Sequence, residues 1–120
     1  MGPAGIRAPG VPQAPGAVVA RVALVCPDLL FGSKVEGALR AAGHEVTRHD
    51  DASALGDLDV LVVDLNASNA APLAGVPSLG FYSHVDQETR RRAEAAGFDP
   101  VVPRSRMARE TTAVVERALR

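Results

Sequence analysis

The chain is short of several things, and each shortage excludes a class of protein. Its single cysteine, Cys26, cannot form an internal disulfide, so the fold must rest on its core. Its longest apolar runs fall far below the ~20 residues needed to span a bilayer. The formal net charge is −1 and the pI is near 6.3, so no field gathers nucleic acid or anionic lipid. Only one lysine is present, Lys34, within a segment of helical pattern, and no other position offers an ammonium group. These features lead to the expectation of a soluble, cytoplasmic protein that binds neither nucleic acid nor membrane.

What is present suffices for one domain: 120 residues, 47% of them apolar, can bury a single core. Residues 1–16 hold four of the nine prolines and four of the eleven glycines, with no apolar segment between a basic start and a cleavage site. That stretch reads as a disordered Pro/Gly-rich tail, and the domain as residues 17–120.

Val-rich "AVVARVALVC" and "LDVLVVDL" read as central strands buried on both sides, and "EVTRHD" as a short, mixed edge strand. Between them, "DLLFGSKVEGALRAAG" is predicted helical. Val35, Leu39 and Ala42 lie at helical spacing, Asp28 or Ser33 caps the start, and Gly43 stops it. Asp51 to Asp57 is expected to hold a short helix, and Asn66 to Gly75 leaves length for only a turn or two. A fourth strand falls in "VPSLGFYS". A helix follows over "DQETRRRAEAAG", stopped by Gly97, with Arg90 to Arg92 on a solvated face. "FDPVVP" supplies a fifth strand, and "SRMARETTAVVERALR" a last helix with Met107, Thr111, Val114 and Ala118 inward. Alternating strands and helices imply an α/β, flavodoxin-like three-layer sandwich around a five-stranded parallel sheet of order 2-1-3-4-5.

In such a sheet, ligands gather at the carboxyl ends of the strands. Strand one brings Cys26, Pro27 and Asp28 there, strand three Asp64 and Asn66, strand four Ser83 and His84, and strand five Arg104 and Ser105. Two carboxylates, a hydroxyl and a cation suit metal ligation or phosphoryl chemistry. Each residue also has a plainer role. Asp28 is a good helix N-cap, Asp64 a strand-end acid able to pair with Arg104, Ser83 or Asp86 a cap, and Cys26 inert packing unless a helix N-terminus lowers its pKa. His84, with no second histidine or cysteine beside it, is a poor metal ligand.

From Ala20 to Arg120 this constellation resembles the receiver domain of bacterial two-component response regulators. The resemblance places Asp64, in "VLVVDLN", at the phosphoacceptor position, Ser83, in "LGFYSH", at the switch hydroxyl, and Arg104, in "AAGFDPVVPRS", where the family has lysine. It also implies a Mg²⁺ site at an acidic pair after strand one. Here Cys26 and Pro27 stand in that place, leaving Asp28 with Asp64 as a weak Mg²⁺ candidate. An arginine keeps the positive charge but presents a larger, planar fork.

The expected function is a stand-alone, atypical receiver-like domain in phosphorelay signal transduction. It would act by binding a histidine kinase or a downstream signalling protein, not as an enzyme, with Asp64 still a candidate for phosphorylation but compromised. A small-ligand module or small enzyme using the same edge is the alternative. The chain has no GxGxxG after strand one, no phosphate-cradling glycine loop and no DxHxxG signature of cobalamin modules. A DNA-binding regulator is disfavoured because the chain ends on the helix expected to close the sheet.

Overall fold

The structure, a computed structural model, describes residues 19–53, 55–83 and 86–120. The expected tail and the first two residues of the expected first strand lie outside them. Five strands form one parallel sheet: β1 (Arg21–Val25), β2 (Glu45–His49), β3 (Val60–Asp64), β4 (Ser78–Tyr82) and β5 (Val101–Pro103), in the order β2-β1-β3-β4-β5. The helices are α1 (Leu29–Ala41), α2 (Gln87–Ala96), α3 (Arg104–Arg109) and α4 (Thr111–Leu119). This is the flavodoxin-like order that the alternation of strand and helix patterns predicts.

Burial follows position in the sheet. Every residue of β3 and β4 is buried, whereas the edge strands β2 and β5 are only partly so. Because side chains alternate along a strand, β1, β3 and β5 feed two cores, one on each face of the sheet. One joins Val22, Leu24, Val60, Val62, Leu79, Phe81 and Val102 to Val35 and Leu39 of α1, Met107 of α3, and Val114, Val115 and Ala118 of α4. The other joins Ala23, Val25, Leu61 and Val63 to Ala93 of α2, Phe98, and loop residues including Leu55, Leu58, Leu65 and Leu73.

The second layer is thus one helix and two loops. No helix occurs among the described residues of Asp51–Asp57 or in Asn66–Gly75, contrary to expectation. Local side-chain bonds win there. Asp51 Oδ1 accepts from the Ser53 N–H at 2.9 Å, Ser68 Oγ from the Ala70 N–H at 3.1 Å, and Ser78 Oγ from the Leu73 N–H at 3.0 Å, while Pro72 has no N–H to give a helix. The expected single last helix also divides. Glu110 leaves helical geometry (φ −126°, ψ 35°), and Thr111 Oγ1 donates to the Met107 carbonyl at 2.6 Å, taking up one carbonyl at the break. Met107, Thr111, Val114 and Ala118 nevertheless all face inward as expected.

The helix stops fall where glycine permits. In α1, Gly43 (φ 95°) lets the His44 N–H reach the Leu39 carbonyl at 3.0 Å and the Gly43 N–H reach Arg40 at 2.9 Å, the paired bonds of a Schellman end. Ala42 lies at this cap and is exposed, so the inner face of α1 is Gly32, Val35 and Leu39. Asp28, not Ser33, caps the start, accepting from the Phe31 N–H at 2.9 Å. His44, buried next to the stop, accepts from the Ala20 N–H at Nδ1 (3.0 Å). That fixes the proton on Nε2, which donates to Glu116 at 3.3 Å and ties β1, α1 and α4 together.

Gly80 in β4 sits against Leu65: a Cβ there would lie 2.6 Å from Leu65 Cδ1 and 2.9 Å from Cγ. Gly80→Ala is therefore expected to cost about 1–3 kcal/mol by overpacking. In urea melts, adding Leu65→Ala should make the pair less costly than the sum of the two single changes. Strict additivity would rule out the contact as the cause.

Candidate functional site

One residue past the β1–β3 pairing, Cys26 comes level with Asp64, and Asp64 is paired with Phe81 in the sheet register. Alternation puts Cys26, Asp64 and Phe81 on the face packed by α1, α3 and α4. Asp64 is only 2% exposed, an unusual place for a carboxylate unless it is partnered. Its Oδ1 accepts from the Asn66 N–H at 3.1 Å, and its Oδ2 lies 3.6 Å from Arg104 Nη2.

Arg104 opens α3 directly after Pro103, whose extended backbone (φ −67°, ψ 152°) turns the chain off β5 at the edge. The same Nη2 donates to Asp28 Oδ2 at 3.0 Å, so one guanidinium joins the two carboxylates. Its plane lies over Phe31, with the central carbon 4.3 Å from the ring centroid and 5.9 Å from that of Phe81. Phe31 and Phe81 in turn pack at 5.2 Å and 44°. Charge on one side and aromatic faces on the other hold the cation.

A second arginine fixes the loop from behind. Arg48 of β2 donates from Nη2 to the carbonyls of Cys26 (3.2 Å) and Asp28 (3.5 Å), and from Nη1 to Glu36 at 3.4 Å. It reaches them across Gly32, where a Cβ would lie 2.2 Å from Nη2. Glu36, bonded to Arg40 and then Arg48, has its pKa held low. Burial, with the Asp64 charge second, pushes the Cys26 thiol up. The protonated thiol lies 3.7 Å from the Asp28 carbonyl and 3.9 Å from Asp64 Oδ2, and its one S–H can serve only one of them. The helix N-terminus nearby does not activate it.

Of the four candidate residues, Asp28, Asp64 and Arg104 are brought together. At Ser83 the backbone N–H donates to Asn66 Oδ1 at 2.6 Å, and Asn66 Nδ2 donates to Asp86 at 2.9 Å. Asp86 caps α2 through Thr89, bonds that keep its pKa low. His84 lies outside the described residues. Arg90, Arg91 and Arg92 are exposed and pair within α2 with Glu94, Glu88 and Thr89, as a solvated face does.

The residues do not fit a magnesium ion. Its octahedral shell needs several oxygens, but both carboxylates are turned onto Arg104, while Cys26 and Pro27 bring no side-chain oxygen. Among the described residues, no three acidic, histidine or cysteine side chains converge on a metal position.

Asn66, Phe31, Phe81 and Arg48 are the parts that sequence reasoning gave no role. Only Asn66 carried a signal, as the residue two beyond Asp64.

No family model matches the chain, and no curated protein matches it. Solved structures do. NtrX from Brucella abortus superposes with a TM-score of 0.72 at 22% identity over 85% of this chain and 27% of its own. Full-length FixJ from B. japonicum does so at 0.70 and 19%, over 83% and 57%. The fold is that of a response-regulator receiver domain. This chain spans about a quarter of the NtrX structure and just over half of that of FixJ, and at such identities the likeness is one of fold. No helix among the described residues is long and apolar enough to cross a membrane.

Proposed function

We propose that this chain is a receiver-like signalling domain of the phosphorelay type that works by binding a protein partner, without phosphorylation of Asp64 as its switch. One observation carries the reading. The carboxylate in the phosphoacceptor position is 2% exposed and faces a guanidinium shared with Asp28. Phosphoryl transfer depends on a metal and on an approachable nucleophile; here a cation covers the nucleophile and the donor set does not fit magnesium. Leu29 and Leu30, 76% and 87% exposed at the start of α1, give a protein partner an apolar contact beside the site. A histidine kinase or a downstream signalling protein is the class of partner that fits.

The test is incubation with a small-molecule phosphodonor and Mg²⁺, followed by intact-mass measurement. The expected result is an unshifted mass for the wild type. A gain of one phosphoryl group that disappears in Asp64→Asn would overturn the reading.

A further inference from the structure

The geometry points to Arg104 as a built-in counter-ion: its guanidinium fills the position between Asp28 and Asp64 that a divalent metal would need, so the acidic edge does without one. Two carboxylates on neighbouring strand ends repel unless a cation lies between them. A single nitrogen does this at 3.0 Å and 3.6 Å. The cation is also held from behind by Phe31 at 4.3 Å, which has no meaning for a metal but suits a flat, weakly hydrated guanidinium. Backbone and loop are arranged to match. Asp28 is held by capping α1 and Asp64 by the Asn66 N–H, so each turns one oxygen to Arg104 while the other is engaged.

Around the pair, the remaining groups favour a monovalent organic cation over a hard ion. The carbonyls of Cys26 and Asp28, oxygens able to complete a shell, are turned to Arg48. Arg48 adds a second positive charge against the same loop. A divalent ion entering here would have to displace one arginine and approach another.

The inference is about metal, not partner, and its test does not depend on signalling. Mn²⁺ serves as the probe, followed by electron paramagnetic resonance. Wild-type protein is expected to show no saturable binding up to millimolar Mn²⁺. Arg104→Met, which keeps an apolar stem against Phe31 and removes the charge, is expected to gain one site at least about tenfold tighter. Asp64→Asn in that background should abolish it. Saturable micromolar binding by the wild type, or a folded Arg104→Met protein with no gain, would overturn the inference. A measurement on the wild type alone guards against a variant that does not fold. In amide spectra with Mn²⁺ at a tenth of the protein concentration, the Asp28, Asp64 and Asn66 signals should stay sharp. Their selective broadening would sink the idea. Failure here would leave the phosphodonor experiment to decide the proposed function separately.

Discussion

Arg104→Ala is expected to lower the stability by about 3 kcal/mol, seen as a fall in the urea midpoint with an unchanged slope. The largest share comes from Asp64. It is 2% exposed, and without Arg104 its donors among the described residues are the Asn66 N–H and a weak thiol. Removing one partner of a fully buried pair costs ~3–5 kcal/mol, because the other charge is left without compensation. Here the figure is reduced, since Arg104 is itself a third exposed and water can follow it out. The half-exposed contact with Asp28 adds little, under about 1 kcal/mol. The stacking on Phe31 adds about 1 kcal/mol. For a domain of about 100 residues, this total lowers the melting temperature by roughly 12–20 °C. Arg104→Lys should recover part of it, as a charge without the flat face. The decisive comparison is Asp64→Asn with Arg104→Ala: once the carboxylate is neutral, losing the arginine should cost at least about 1 kcal/mol less. An Arg104→Ala protein within about 0.5 kcal/mol of wild type would mean that Asp64 is not held by this pair.

The sheet was legible because its signals are strong and redundant. Val-rich runs with no polar face mark β1 and β3 as central, a mixed run marks β2 as an edge, and Gly43 and Gly97 mark the helix ends that their left-handed backbones (φ 95° and 113°) require. The helices on one face were less legible. In Asp51–Asp57 and Asn66–Gly75, composition admits a turn of helix, but the choice is made by single side-chain bonds from Asp51, Ser68 and Ser78. No periodicity reports such bonds. The break at Glu110 is similar, since TTAVVERAL continues the apolar spacing of SRMAR without a proline or glycine.

At the site, residue types and edge could be read, but not their pairings. Asp28, Asp64 and Arg104 follow from strand order, whereas the contact of Arg104 with Phe31 depends on α1 starting one residue after Asp28 and α3 starting at Arg104 itself. Ser83 falls at the expected strand end, where its N–H is held by the Asn66 side chain, which also bonds to Asp86. A side chain two residues beyond the acid thus organises that side of the edge.

Phe81→Ala is expected to be the most costly single change, at about 4 kcal/mol. Phe81 is fully buried near the carboxyl end of β4, opposite Asp64 on one side and Val102 on the other. Truncation leaves a cavity that three strands and α1 cannot all close on, the condition under which large-to-small changes reach ~3–5 kcal/mol. It also removes the ring on which Phe31 rests at 5.2 Å, and Phe31 is the main face under the Arg104 guanidinium. The loss therefore extends from the core to the site. Phe81→Leu keeps most of the volume and should cost under about 1.5 kcal/mol. The link to the site is tested by combining Phe81→Ala with Arg104→Ala. If the ring supports the cation, the double change costs less than the sum of the two by at least about 0.5 kcal/mol, because an arginine already unseated has less to lose. Full additivity would separate the aromatic pair from the ion pair, leaving the packing of Phe81 as a matter of the core alone.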